Sequence, residues 1–156
     1  MKDLGEIHWF LGMEIIRDRR RCLISISQTQ YINNVVSRFG FANSCPISTP
    51  ISVNLSLPVL DTPEVDVCDY QSRIGSIMYA MLGTRPDIAY AVGALSQYSS
   101  NPGKAHLAAV NQLLRYLNAT KHYKIVLSRT VHSHHARTSH TFAHGPFPRA
   151  RTFSRP

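Results

Sequence analysis

The sequence has no adjacent pair of aspartates, no glycine-rich phosphate loop, no Gly-x-Ser-x-Gly elbow and no CxxC pair. Their absence removes the usual signatures of nucleotide-binding loops, serine hydrolases, zinc ribbons and dithiol redox sites. Cysteine is scarce: Cys22, Cys45 and Cys68 are odd in number and widely spaced, which fits free thiols in a reducing compartment rather than a disulfide framework. Long apolar runs are missing too. The apolar start "IHWFLGMEII" contains Glu14 and is too short to span a bilayer. Nothing reads as a signal or transit peptide, so the expected location is intracellular, cytoplasmic or nuclear.

Charge of one sign is missing in two places. Residues 41–68 carry no Lys or Arg, and residues 129–156 carry five Arg and no acid. The formal charge of +8 therefore sits mostly in the tail, since residues 1–128 hold 12 Lys and Arg against 9 acids. A body so nearly balanced does not by itself argue for a polyanionic partner.

Between these gaps the patterns are regular. Met13 and Ile15 alternate with Glu14, and Ile24 and Ile26 alternate with Leu23 and Ser25, around a polar turn at Asp18 to Arg21. This is a β-hairpin, and an isolated hairpin is marginal in water, so it needs a sheet partner. Ser27 and Gln30 suggest a capping box, Tyr31, Ile32, Val35, Val36 and Phe39 recur at helical spacing, and Gly40 is a stop. Pro46, Pro50, Pro58 and Pro63 then mark a connector over 41–68.

From Asp69 the periodicity is helical. Tyr70, Ile74, Ile77, Met78, Met81 and Leu82 form one stripe ending at Gly83, and Ile88, Val92 and Leu95 form a second behind Pro86. Leu107, Val110, Leu113, Leu114 and Leu117 form a third after the breaker at 101–103. "KIVLS" at 124–128 reads as a strand with no visible partner. Tyr90, Tyr98 and Tyr116 lie near these stripes and are expected in the core.

The tail over 129–156 is aperiodic and is expected to be a disordered basic segment, a solvated tail or a shifted reading frame. Reading His132, His134, His135 and His140 as a metal site, or its arginines as a nucleic-acid arm, is the less economical alternative. The fold class is thus α+β: an N-terminal hairpin, then a mainly helical bundle. Its divisions are 1–40 for hairpin and first helix, 41–68 for the connector, 69–128 for the helical block with its terminal strand, and 129–156 for the tail. The only tight carboxylates, Glu64, Asp66 and Asp69, are better used as connector charges and, for Asp69, a helix cap than as a cation site. Asp87 reads as a carboxylate at a helix start. No catalytic and no metal residues are assigned.

The segments "MKDLGEIHWFLGMEI", "SQTQYINNVVSRFGF", "STPIS" and "YQSRIGSIMYAMLGTRPDIAYAVGALSQYSSNPGKAHLAAVNQLLRYLNATKHYKIVL" resemble, in this order, the later part of the copia-type reverse transcriptase of plant LTR retrotransposons. The resemblance covers residues 1 to about 128. It implies a piece of an RNA-directed DNA polymerase from a Pol polyprotein, with the hairpin in the palm and the helices in a thumb-like bundle and connection. The polymerase aspartates, which hold magnesium in the intact enzyme, would lie upstream in a Tyr-x-Asp-Asp turn. Met1 would then be an internal methionine, and the chain alone would be inactive and hold no cofactor.

By the same resemblance Leu11, Gly12, Met13 and Glu14 match the segment that grips the primer near its 3′ end, with Gly12 allowing a close backbone approach. Read structurally, they are a strand with a bulge. Arg38, Arg73, Arg85, Lys104 and Arg115 are the helix-associated cations that a thumb would set against the phosphates of primer-template. The alternatives are a residual nucleic-acid-binding module, or a helical piece that docks on an intact polymerase. No membrane or small-molecule partner is indicated.

Overall fold

A computed structural model describes residues 5–52 and 62–128. The tail, and the part of the connector over 53–61, lie outside the described residues. The fold is α+β. Strands β1 (Trp9–Phe10), β2 (Met13–Asp18) and β3 (Leu23–Ser27) lead into helix α1 (Thr29–Arg38). Helix α2 (Val67–Gly83), a 3₁₀ turn (Pro86–Ile88), helices α3 (Ala89–Ser96) and α4 (Lys104–Ala119), and strand β4 (Lys124–Ser128) follow.

The terminal strand has a partner after all. The sheet order is β1-β2-β3-β4, antiparallel throughout, and β4 lies against β3 with Ile125 opposite Ile26 and Leu127 opposite Ile24. Since directly opposed residues share a face, Ile15, Ile26 and Ile125 form one continuous apolar row across three strands. The hairpin of β2 and β3 thus has β1 on one side and, on the other, a strand from the far end of the helical block. Alternation identified the strand but could not reveal a partner about a hundred positions away.

The core lies among the helices. Ile32, Val35 and Val36 from α1 meet Tyr70, Ile74 and Ile77 from α2, Val92 and Leu95 from α3, and Val110, Leu113, Leu114 and Leu117 from α4. Each such leucine contributes on the order of 1.5–3 kcal/mol when fully buried, before entropy is subtracted. Residues 41–52 run beside α4, where Asn118 Nδ2 donates to the Phe41 and Ala42 carbonyls at 3.1 Å each.

Several local expectations shift. Helix α1 begins one residue later than a capping box from Ser27 requires: Gln28 is the N-cap, without a side-chain cap bond. Helix α2 begins earlier, with Asp66 rather than Asp69 as its cap, accepting from the Cys68 N–H at 3.0 Å. Leu82 and Tyr90, assigned to the core, are 75% and 79% exposed. Both sit on helix faces that no described element covers.

The stop at Gly40 forms as expected. Gly40 has φ +79°, its N–H donates to the Ser37 carbonyl at 3.1 Å, and the Phe41 N–H donates to that of Val36 at 2.8 Å. This is a Schellman closure, which needs a left-handed residue. Gly40→Ala should therefore lower stability by about 1 kcal/mol in denaturant melts, because the open space beside it relieves nothing of the backbone cost.

Candidate nucleic-acid interface

Within the Leu11 to Glu14 segment, Leu11 and Gly12 form a two-residue hairpin turn and Met13 and Glu14 open β2, in place of a bulged strand. Phe10 faces Met13 and Trp9 faces Glu14 across it, and both turn residues have positive φ, +49° at Leu11 and +72° at Gly12. That combination matches the right-handed twist of the strands it joins and costs glycine little. Leu11, with a Cβ, pays about 1–2 kcal/mol for it. The turn is nevertheless fixed, because the Tyr79 hydroxyl of α2 donates to the Leu11 carbonyl. Tyr79 in turn packs edge-on against Tyr31 of α1, with ring centroids 4.8 Å apart. The apolar tip of this braced turn faces solvent: Trp9, Phe10 and Leu11 are all more than half exposed.

The five helix-associated cations go to different places. Arg38 is exposed and donates to Ser72 Oγ at 3.2 Å. Arg73 is largely enclosed: its Nε meets Asp69 Oδ2 and its Nη1 meets Asn111 Oδ1, both at 2.9 Å, and its guanidinium lies 5.0 Å from the Phe39 ring. Arg115 Nε donates to the Cys45 carbonyl at 3.0 Å, pinning the connector to α4. Lys104 opens α4 and is exposed, while its backbone N–H donates to Glu64 Oε2 at 3.1 Å.

Arg85 is the exception, at 1% exposure. Its Nε and Nη2 clamp both Asp87 oxygens at 2.9 and 2.7 Å, and Nη1 and Nη2 reach the Thr120 carbonyl and hydroxyl at 3.0 and 2.7 Å. The Tyr116 hydroxyl donates to the same Asp87 at 2.9 Å. Burial alone would raise the Asp87 carboxyl, but the Arg85 hydrogen bonds and charge, with the Tyr116 hydroxyl, hold it below its ordinary value. Burial and the neighbouring Asp87 push the Tyr116 phenol up to about 12. This knot joins the start of α3 to the end of α4, and its guanidinium is not available to a phosphate.

Glu64, Asp66 and Asp69 are each engaged locally, at the head of α4, at the cap of α2 and with Arg73. Among the described residues no group of three His, Cys, Asp or Glu side chains is placed to hold a metal ion. Cys22, Cys45 and Cys68 are free and exposed, and no helix among the described residues is long and apolar enough to cross a membrane.

Sequence reasoning missed one basic cluster. Arg17, Arg19, Arg20 and Arg21 surround the β2–β3 turn, and all four are exposed. Their density, four arginines in five residues, was the available signal, but a polar turn accounts for such residues equally well.

Comparison with known proteins places the chain. It is 44% identical over 127 residues to a retrovirus-related Pol polyprotein from transposon TNT 1-94 of Nicotiana tabacum, covering 77% of this chain and 10% of that protein. It is 35% identical over 130 residues to the corresponding polyprotein of transposon RE1 of Arabidopsis thaliana, covering 83% and 9%. An uncharacterized mitochondrial protein of the same plant, AtMg00810, is 35% identical over 120 residues, covering 77% and 49%. The chain thus spans about a tenth of the length of the Pol polyproteins it matches. No family profile and no solved structure matches it.

Proposed function

Because the chain is homologous to one segment of the retrovirus-related Pol polyproteins of copia-type transposons, we propose that it is the part of an RNA-directed DNA polymerase that follows the catalytic aspartates. In this reading the turn at Leu11–Glu14 meets the primer and the helices support it. Alone, the chain is inactive. The observation that carries the reading is the turn itself: a non-glycine residue held at positive φ, braced from α2 through Tyr79, with its apolar tip in solvent. Strain kept in place by a neighbouring element is characteristic of a contact surface. Arg38 and Lys104 are the helix cations exposed enough to meet phosphates, while Arg73, Arg85 and Arg115 serve the packing first.

The test uses the full chain with primer, template, nucleotides and magnesium. No extension above a blank is expected. Binding should favour a duplex with a recessed 3′ end over a blunt duplex, and Gly12→Val should remove that preference. Metal-dependent extension would refute the inactivity, and equal binding of both duplexes would refute the primer contact.

A further inference from the structure

We propose that the β2–β3 turn is a second phosphate-binding tip, in which Arg17, Arg20 and Arg21 grasp the backbone of a nucleic acid at the end of β2 opposite the Leu11–Gly12 turn. The local carboxylates are already committed. Asp18 Oδ1 accepts from the backbone N–H groups of Arg20 and Arg21, both at 3.0 Å, and Glu6 is taken by Arg19, whose Nε lies 2.8 Å from its Oε1. The Arg19 hydrogen bond and charge hold the Glu6 carboxyl below its ordinary range. Among the described residues Arg17 and Arg20 make no ion pair, and Arg21 reaches Asp18 only at 3.7 Å.

The turn is also preorganised. Asp18 fixes the backbone that carries Arg20 and Arg21, and Cys22, at φ +51°, closes it. Less freedom is lost when such a turn takes a ligand. Beside it lies an open groove of about 620 Å³ whose lining includes Glu6, Ile7, Ile15, Arg17, Arg19 and Ile24, so Arg17 borders an aliphatic floor in which the one carboxylate, Glu6, is held by Arg19. All four cations are arginines, whose planar forks suit phosphate oxygens better than the point charge of lysine.

The identity of the polyanion rests on the Pol homology above. From Gly12 to Asp18 the strand spans about 20 Å at roughly 3.3 Å per residue, close to six base-pair steps of about 3.4 Å. One duplex can therefore reach both ends of β2.

The experiment measures binding of the full chain to a labelled primer-template duplex between about 50 and 200 mM salt. The triple variant Arg17→Gln, Arg20→Gln, Arg21→Gln should bind about tenfold or more weakly at the low end, with a slope of log K against log salt shallower by about two to three. An unchanged thermal melt establishes that the fold is intact. The loss should persist when the five tail arginines are also replaced by glutamine. Affinity within about twofold of the parent chain in both tail backgrounds overturns the proposal. Displacement of the duplex by polyglutamate as readily as by unlabelled duplex of equal charge also overturns it, in favour of an acidic protein partner. The result is separable from the primer reading: loss in the arginine variant with no effect of Gly12→Val retains the tip and rejects the primer contact, and the reverse pattern does the opposite.

Discussion

Asp87→Asn is expected to lower the stability of the folded chain by about 3–5 kcal/mol, because it leaves the Arg85 guanidinium enclosed without its counter-charge. The amide keeps the shape but turns one of the two acceptor oxygens into an NH2 donor, so the loss combines the missing charge with a hydrogen bond that can no longer form. Thr120 and the Tyr116 and Tyr123 rings remain around Arg85, with the ring centroids at 5.4 and 5.2 Å, but none supplies a negative charge. Urea melts of the two proteins measure the difference, and a loss below about 1 kcal/mol would show that water reaches Arg85. The double variant Arg85→Met, Asp87→Leu should recover part of the loss, since removing both charges removes both desolvation costs.

The same knot fixes the pH response. The Asp87 carboxyl is lowered from 3.8 in the fold, so its contribution is complete above that value and is lost as pH falls through the lowered one. The melting temperature of the parent chain should therefore drop below about pH 4 more steeply than that of Asp87→Asn. On the alkaline side Tyr116 and Tyr70 are both raised from 10.0 to about 12, burial being the first cause of each. Their neutral phenols stabilise the fold below pH 10, and this is lost as pH rises towards about 12. Tyr70 is further held by donating its hydroxyl to the Leu95 carbonyl at 2.7 Å, which ties α2 to α3.

Periodicity identified the elements well because it records which face of a segment is buried. The stripes Ile74–Ile77 on α2 and Val110–Leu117 on α4 are in the core, and Gly40 ends α1 as its position suggested. Leu82 and Tyr90 show the limit, since they extend apolar stripes onto faces that no described element covers. Pairings between distant residues leave no periodic trace. The β3–β4 ladder joins residues about a hundred positions apart, and the interior place of Arg85 depends on Asp87 two residues later and Thr120 thirty-five later. A helix-associated arginine looks the same in sequence whether its partner is a phosphate or a buried carboxylate. The arginines at Arg17 to Arg21 pose the opposite problem: their charge was legible, but a polar turn accounts for it, and only the structure shows Asp18 bonded to the turn amides and Glu6 to Arg19.

Gly83→Ala tests the joint between sheet and helices, and should destabilise the chain by about 1–3 kcal/mol. A Cβ at Gly83 would lie 2.5 Å from Gln28 Oε1, 2.6 Å from Nε2 and 2.7 Å from Cδ, closer than atoms of this kind pack. Gln28 cannot simply swing away. It is 1% exposed at the junction of β3 and α1, and its Oε1 accepts from the Thr84 hydroxyl at 2.8 Å. Nothing about Gly83 suggests a backbone requirement, because its φ lies outside the left-handed region and it closes α2 as an ordinary helical residue. The glycine is required by the side chain of Gln28. Gln28→Ala alone should also destabilise, by removing the Thr84 bond, although it deletes a buried amide nitrogen that has no hydrogen-bond partner among the described residues. In the double variant the two methyl groups no longer collide with an amide, so the combined loss should be at least about 0.5 kcal/mol smaller than the sum of the single losses. Strict additivity in denaturant melts would mean that Gln28 has room to move, and the contact would then not be what selects glycine at the end of α2.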